Sequence, residues 1–149
     1  MKQEELQTIA DTAKNYFREV SGEVPEIGIP FILRKKESVL ELTGLIGISG
    51  NRRGCIYISS ERLLVKELTK CILQMDEVDD SILYDMVGEL SNTICGNICQ
   101  SFGNDFNISV PIVISGVPDE LILQKLSQPI YVIPVLWRNS KCLIVAGID

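Results

Sequence analysis

The side chains here best suited to chemistry are a glutamate and an asparagine three residues apart, Glu89 and Asn92, within SILYDMVGELSNTICGNICQSFG, Ser81–Gly103. A carboxamide can hold a water through both its carbonyl and its amino group and so fix a direction of attack. A carboxylate beside it can grip a lysine on an incoming partner. Neither group is a strong nucleophile, and the chain contains no histidine. That excludes Ser-His and Cys-His catalysis and makes a zinc or iron site unexpected. The pair suits a reaction whose electrophile and metal come from elsewhere. An acyl phosphate on another protein fits: it is already reactive, and placing a water in line is most of what remains to be done.

Glu-x-x-Asn alone is common on solvated helices, so its setting matters. Ser81–Gly103 reads as one long, mostly apolar helix. At about 100° per residue, Asp85, Glu89, Asn92 and Gly96 fall within roughly 60° of one another, while Ile82, Met86, Leu90 and Ile94 point elsewhere. The helix should bury most of its circumference and leave one narrow polar ledge. A glycine inside a helix costs about 1 kcal/mol relative to alanine. Gly88 and Gly96 therefore suggest a close approach to this backbone.

Bulk properties set the class. A chain of 149 residues, 46% hydrophobic, suits one domain or two small fused halves with a sizeable core. A net charge of −6 argues against nucleic acid, whose phosphates are held by Lys and Arg. The five cysteines, Cys55, Cys71, Cys95, Cys99 and Cys142, sit mostly within apolar patterns and read as buried, reduced thiols, the Cys95/Cys99 pair included. The polar start MKQEELQTIADTAK is no signal peptide, and no apolar run nears the roughly 20 residues that span a bilayer. A cytoplasmic protein without a membrane partner is expected.

Taken in order, residues 3–20 carry Leu6, Ile9, Ala10, Ala13, Phe17 and Val20 at helical spacing, and Ser21-Gly22 closes that helix. Phe31–Lys36 reads as a strand. Val39–Ser49 and Cys55–Ser59 read as a hairpin around Asn51-Arg52-Arg53-Gly54, with Gly44, Gly47 and Gly50 marking bulges or close contacts. Ser59 or Ser60 can cap a helix running to about Met75, with Leu63, Leu64, Leu68, Cys71 and Ile72 inward. Asp76–Asp80, DEVDD, lacks the EF-hand ligand order and reads as favourable charge at a helix N-terminus. Asn104–Gly116 is a strand at an edge or broken at Pro111, and Val117–Gln128 is a polar-apolar segment with one helical turn. Ile130–Trp137 and Lys141–Ile148 form a second hairpin. The order α-β-β-β-α-α-β-β-β points to α+β, an antiparallel sheet with helices on one face. Each half has a helix, a proline-bearing extended segment and a hairpin, with Asp11 and Lys14 where the second half has Glu89 and Asn92.

The segments TGLIGISGNRRGCIYIS (43–59) and DMVGELSNTICGN (85–97) resemble the CheX proteins of the CheC/CheX/FliY group, phosphatases of phosphorylated response regulators such as CheY. The likeness runs from about Thr43 to Ile148, and Asp85-x-x-x-Glu89-x-x-Asn92 followed by Pro111 matches the family's active-site signature. The resemblance implies that Glu89 contacts the regulator's active-site lysine and that Asn92 orients the attacking water. It implies a CheC-like α+β fold with pseudo-twofold halves, one CheX-like domain over residues 1–149, and a homodimer with one site per chain. No cofactor is expected on this chain, and magnesium is expected on the partner receiver domain. The absence of Glu-x-x-Asn from the first helix fits the single-site members. Ile130–Trp137, with Pro129 and Pro134, reads as an apolar edge strand to be covered by a second chain or, alternatively, by a loop or helix of the same chain. The competing reading is a module that docks a response regulator, or a flagellar or signalling component, without hydrolysis. Exposure of Glu89 and Asn92 favours the enzyme, and burial of Asn92 the module.

Overall fold

The computed structural model describes residues 1–34, 39–103, 105–116 and 129–149. Its helices form where apolar residues recur at helical spacing. Helix α1, Gln3–Ser21, buries Ile9, Ala10, Ala13 and Phe17. It ends at Gly22, which takes the left-handed conformation (φ +74°) and donates its amide to the Arg18 carbonyl. Helix α2, Arg62–Leu73, buries Leu64, Val65 and Leu68, whereas Leu63 and Ile72, expected inward, are exposed. Neither Ser59 nor Ser60 caps α2. Both lie in the preceding strand, where the Ser59 hydroxyl meets that of Thr43, and the Arg62 amide is met by the Glu41 carboxylate instead. Helix α3, Asp80–Phe102, starts where the Asp79 carboxylate accepts the Ile82 amide at 2.9 Å, the helix-start role expected of the acidic run.

The strands are β1 (Glu26–Ile27), β2 (Phe31–Ile32), β3 (Leu42–Gly50), β4 (Gly54–Ser60), β5 (Phe106–Ile108), β6 (Ile112–Ser115), β7 (Tyr131–Trp137) and β8 (Ser140–Ile148). Among the described residues they form one antiparallel sheet in the order β1-β7-β8-β4-β3-β5, with β2 also on β7 and β6 also on β3. Exchanging the two halves, β1 for β5, β3 for β7 and β4 for β8, turns this order into its own reverse. The two expected hairpins, β3–β4 and β7–β8, meet through β4 and β8 at the centre. The short strands cross over: those before β3 pair with β7 of the second half, and those after α3 pair with β3 of the first.

Both outer borders carry the same defect. Ile108 faces Ile48 and Ile112 faces Leu45, so residues 109–111 oppose only residues 46–47 of β3. On the far side, Ile27 faces Val135 and Phe31 faces Val132, so residues 28–30 oppose residues 133–134. Each is a one-residue bulge ending in a proline, Pro111 or Pro30. The break expected at Pro111 is therefore present, and it divides Asn104–Gly116 into two strands. The strand expected over Phe31–Lys36 is regular only at Phe31–Ile32, and residues 35–38 lie outside the described residues. So do Asn104 and the Val117–Gln128 segment.

All three helices cover one face of the sheet. Ile46, Ile56, Ile58, Ile133 and Ile144 meet Ile9, Phe17, Leu64, Leu90 and Ile94 in a single core, each such side chain stabilising by about 1.5–3 kcal/mol on burial. The alternate residues Leu45, Tyr57, Val132 and Val145 are buried on the opposite face. Strand β7 corrects an expectation: it is interior, with β8 on one side and β1 and β2 of the same chain on the other. Pro134 is tolerated there because its carbonyl, which accepts from Gly28, faces the bulge, where the ladder is interrupted. Among the described residues no helix is long and apolar enough to cross a membrane.

Candidate functional site

Helix α3 buries Leu83, Met86, Val87, Leu90, Ser91, Ile94 and Cys95, and leaves Asp85, Glu89 and Asn92 exposed. The ledge read from periodicity is present. Glu89 and Asn92 are neighbours on it, since side chains three apart on a helix lie about 5–6 Å apart at Cβ. Among the described residues, none hydrogen-bonds the side chain of either one. Both are open to another molecule. Gly96, the fourth ledge position, is half-buried against Ile108 rather than part of the open surface.

The ledge is one wall of an open groove of about 710 Å³, and the bulge between β5 and β6 is the other. Asp85, Gly88, Glu89 and Asn92 face Ser109, Val110, Pro111 and Val113 across it. Gly88 brings the walls together: a Cβ there would sit 3.8 Å from Pro111 Cγ and 3.7 Å from Val113 Cγ2, ordinary contact distance. The truly tight approach lies beneath, at Gly44 of β3, where a Cβ would be 2.8 Å from Ser91 Cβ and 3.2 Å from the Val87 carbonyl oxygen. Gly44 thus sets how closely α3 lies on the sheet. Of the groove residues, Tyr84, Ile108, Ser109, Val110 and Val113 were not read from sequence. The proline at 111 was the one signal that could have led to them.

The groove is acidic. Asp85 and Glu89 line it, and among the described residues no Lys or Arg does. Tyr16, packed in from α1, is pushed up to about 12 by burial first and the Glu89 charge second, so its phenol stays neutral. The cysteines form no part of the groove. All five are unpaired thiols, four of them buried, and burial pushes Cys55 up to about 11 and Cys142 to about 12. Among the described residues no group of three or more His, Cys, Asp or Glu side chains is placed to hold a metal.

The pseudo-twofold relation generates a second groove of about 480 Å³ between α1 and the other bulge. Leu6, Gln7, Ala10, Asp11 and Lys14 occupy the places that Tyr84, Asp85, Gly88, Glu89 and Asn92 hold in the first, and Ile27–Pro30 those of Ile108–Pro111. The shape recurs and the chemistry does not: Asp11 accepts from Gln7 at 2.9 Å, and a lysine replaces the amide.

Known proteins share this fold. A CheC-like superfamily protein from Shewanella sp. PV-4 superimposes with a TM-score of 0.85 at 22% identity, over 100% of this chain and 99% of that one. The chemotaxis protein CheX from Vibrio vulnificus gives 0.83 at 22% identity, over 98% and 99%. The CheX in a CheX–CheY–BeF3–Mg2+ complex from Borrelia burgdorferi gives 0.74 at 20% identity, over 97% of each. The fold is therefore CheC-like. A search of curated proteins gives no match. The family described as "Chemotaxis phosphatase CheX" matches residues 42–136, a span that holds β3, β4, α3 with its ledge, and the Pro111 bulge. The family match and the fold agree, and the chain belongs to the CheX chemotaxis phosphatase family.

Proposed function

We propose that this protein hydrolyses the aspartyl phosphate of a phosphorylated CheY-like receiver domain, acting in the cytoplasm as a single domain over residues 1–149. The observation that carries the reading is the exposed Glu89/Asn92 pair, whose side chains no described residue hydrogen-bonds, at the rim of an open groove in a chain of the CheX family. The Borrelia relative's complex with CheY supports the choice of partner. In the reaction, the Asn92 amide holds a water in line with the phosphorus. The water oxygen bonds to phosphorus as the bond from phosphorus to the aspartyl oxygen breaks, and the carboxylate leaves with the electron pair. The water's protons pass to phosphate and solvent. A carboxylate is a good leaving group, so no acid is needed from this chain. Glu89 pairs with the receiver's active-site lysine and fixes the docked orientation. Magnesium belongs to the receiver, where it neutralises charge on the phosphoryl oxygens.

The acidic groove suits a lysine-bearing partner. The test is phosphate release from a phosphorylated CheY-like receiver with and without this protein. Acceleration supports the reading, and decay at the receiver's own rate rejects it.

A homodimer is proposed as well, on different grounds from those read in the sequence, since β7 is interior. The border formed by β1 and β2 exposes Ile29 (88%), Phe31 and Ile32, at the opposite end of the sheet from the bulge beside Asn92. A second copy seated there would cover them and leave both ledges free.

A further inference from the structure

The two bulges differ in one respect that points to a further residue of the site. In the second half, Gly28 donates its amide to the Pro134 carbonyl at 2.8 Å, and Pro134 has no amide to place. In the first half, Ser109 donates its amide to the Gly47 carbonyl at 2.9 Å, but Gly47 does have an amide, directed toward the interrupted ladder. The Ser109 hydroxyl accepts that amide at 2.8 Å and donates its own proton to the Val110 carbonyl at 3.1 Å. One hydroxyl thereby replaces the missing ladder bond and fixes the direction of the next peptide. That peptide carries the groove wall: Val110 projects into solvent, 83% exposed, and Pro111 rests on Gly88 one turn before Asn92.

We infer that Ser109 is a positioning residue, whose hydroxyl holds the Val110–Pro111 wall at the spacing from α3 that lets a phosphorylated receiver seat over Asn92. The inference deepens the phosphatase reading and rests on it. Ser109 touches neither the water nor the phosphoryl group. Its loss acts on docking rather than on the chemical step, because Glu89 and Asn92 stay in place on α3.

The experiment compares wild type, Ser109→Ala and Ser109→Thr in steady-state phosphate release from a phosphorylated CheY-like receiver, with native-state hydrogen exchange at the Gly47 amide. Ser109→Ala raises KM about three- to tenfold, the range one net hydrogen bond sets, and leaves kcat within about twofold. Gly47 exchanges faster in the same variant, because its bond partner is gone. Ser109→Thr keeps the hydroxyl and restores both readings. Wild-type KM in Ser109→Ala, a fall confined to kcat, or a threonine variant no better than alanine overturns the role. Wild-type protein that neither binds a receiver loaded with magnesium and beryllofluoride nor turns over a phosphorylated one sinks the phosphatase reading instead. Exchange at Gly47 then still decides the hydroxyl's part, and unchanged exchange in Ser109→Ala overturns it.

Discussion

Gly44→Ala tests whether helix height governs catalysis. The added Cβ would overlap Ser91 Oγ and lie 2.8 Å from Ser91 Cβ and 3.2 Å from the Val87 carbonyl oxygen. Rotating the Ser91 hydroxyl relieves only the first contact. The second is roughly 1 Å short of the usual 3.5–4.0 Å between carbons. It involves a Cβ fixed to the helix backbone, so α3 must move away from β3. Ser91 directly precedes Asn92, so the amide proposed to hold the water moves with it. Overpacking of this kind costs about 1–3 kcal/mol, or about 2–12 °C in Tm for a chain of this size. A shift of about 1 Å at a positioning group costs about 10²-fold in rate. The assay pairs thermal melting with phosphate release from a phosphorylated receiver. Gly44→Ala should lower both, and Gly44→Ala/Ser91→Gly, which removes the obstructing side chain, should regain most of the rate while staying less stable by about 0.5–1 kcal/mol for the helix glycine. Gly44→Ala with a lowered Tm but an unchanged rate would refute the coupling, and an unchanged Tm would refute the clash itself.

The other expectations concern the ledge and the opposite border. Asn92→Ala should lower kcat about 10²-fold while affinity for a beryllofluoride-loaded receiver stays within about threefold; a wild-type rate would remove Asn92 from the mechanism. Glu89→Lys should weaken that affinity more than about tenfold, because it sets two like charges face to face; calorimetry showing unchanged binding and turnover would count against the lysine contact. Light scattering should give twice the chain mass of 16.6 kDa, and Ile29→Asp should halve it with the rate per chain preserved; a wild-type mass near 16.6 kDa would end the dimer proposal.

What the sequence made legible was what long periodic elements write into it. Helix α3 announces its exposed face because 23 residues sample the helical period six times over, and the three polar positions stand out against an apolar background. The hairpin β3–β4 is equally plain, two β-rich runs around a polar turn. Strands β1 and β2, with two residues each, have no period to read. Missing β1, and leaving the strand at Phe31 without a partner, made β7 look like an edge, since its apolar length and its prolines fit a border until Glu26–Ile27 and Phe31–Ile32 are set beside it. The serines before α2 were misread for a related reason: a serine before a helix suggests a cap, but the β4–β8 register holds Ser59 and Ser60 in the strand. Glycines told only that something comes near. That Gly44, rather than Gly88 or Gly96, marks the tightest approach depends on which residue of α3 lies above β3, a tertiary fact.

The same fold makes the groove twice and equips it once, and this locates the function in side chains rather than architecture. Both grooves have a helix on one side and a proline-ended bulge on the other. A water aimed at phosphorus must have a lone pair free toward its target, so it is best held by an acceptor that takes its proton together with a donor, and an amide offers both. The ammonium of Lys14 offers donors only, so it can hold a water by its lone pair but then turns that lone pair away from the phosphorus. Asp11, in the place of the carboxylate proposed to grip the lysine, is one methylene shorter than Glu89 and already accepts from Gln7. Each difference disables a separate part of the proposed mechanism, the aim of the water and the grip on the partner. The second groove therefore acts as an internal control: the helix wall and the proline-ended bulge are retained in a smaller groove, and any hydrolysis lost with Asn92 is lost from chemistry that this arrangement does not supply.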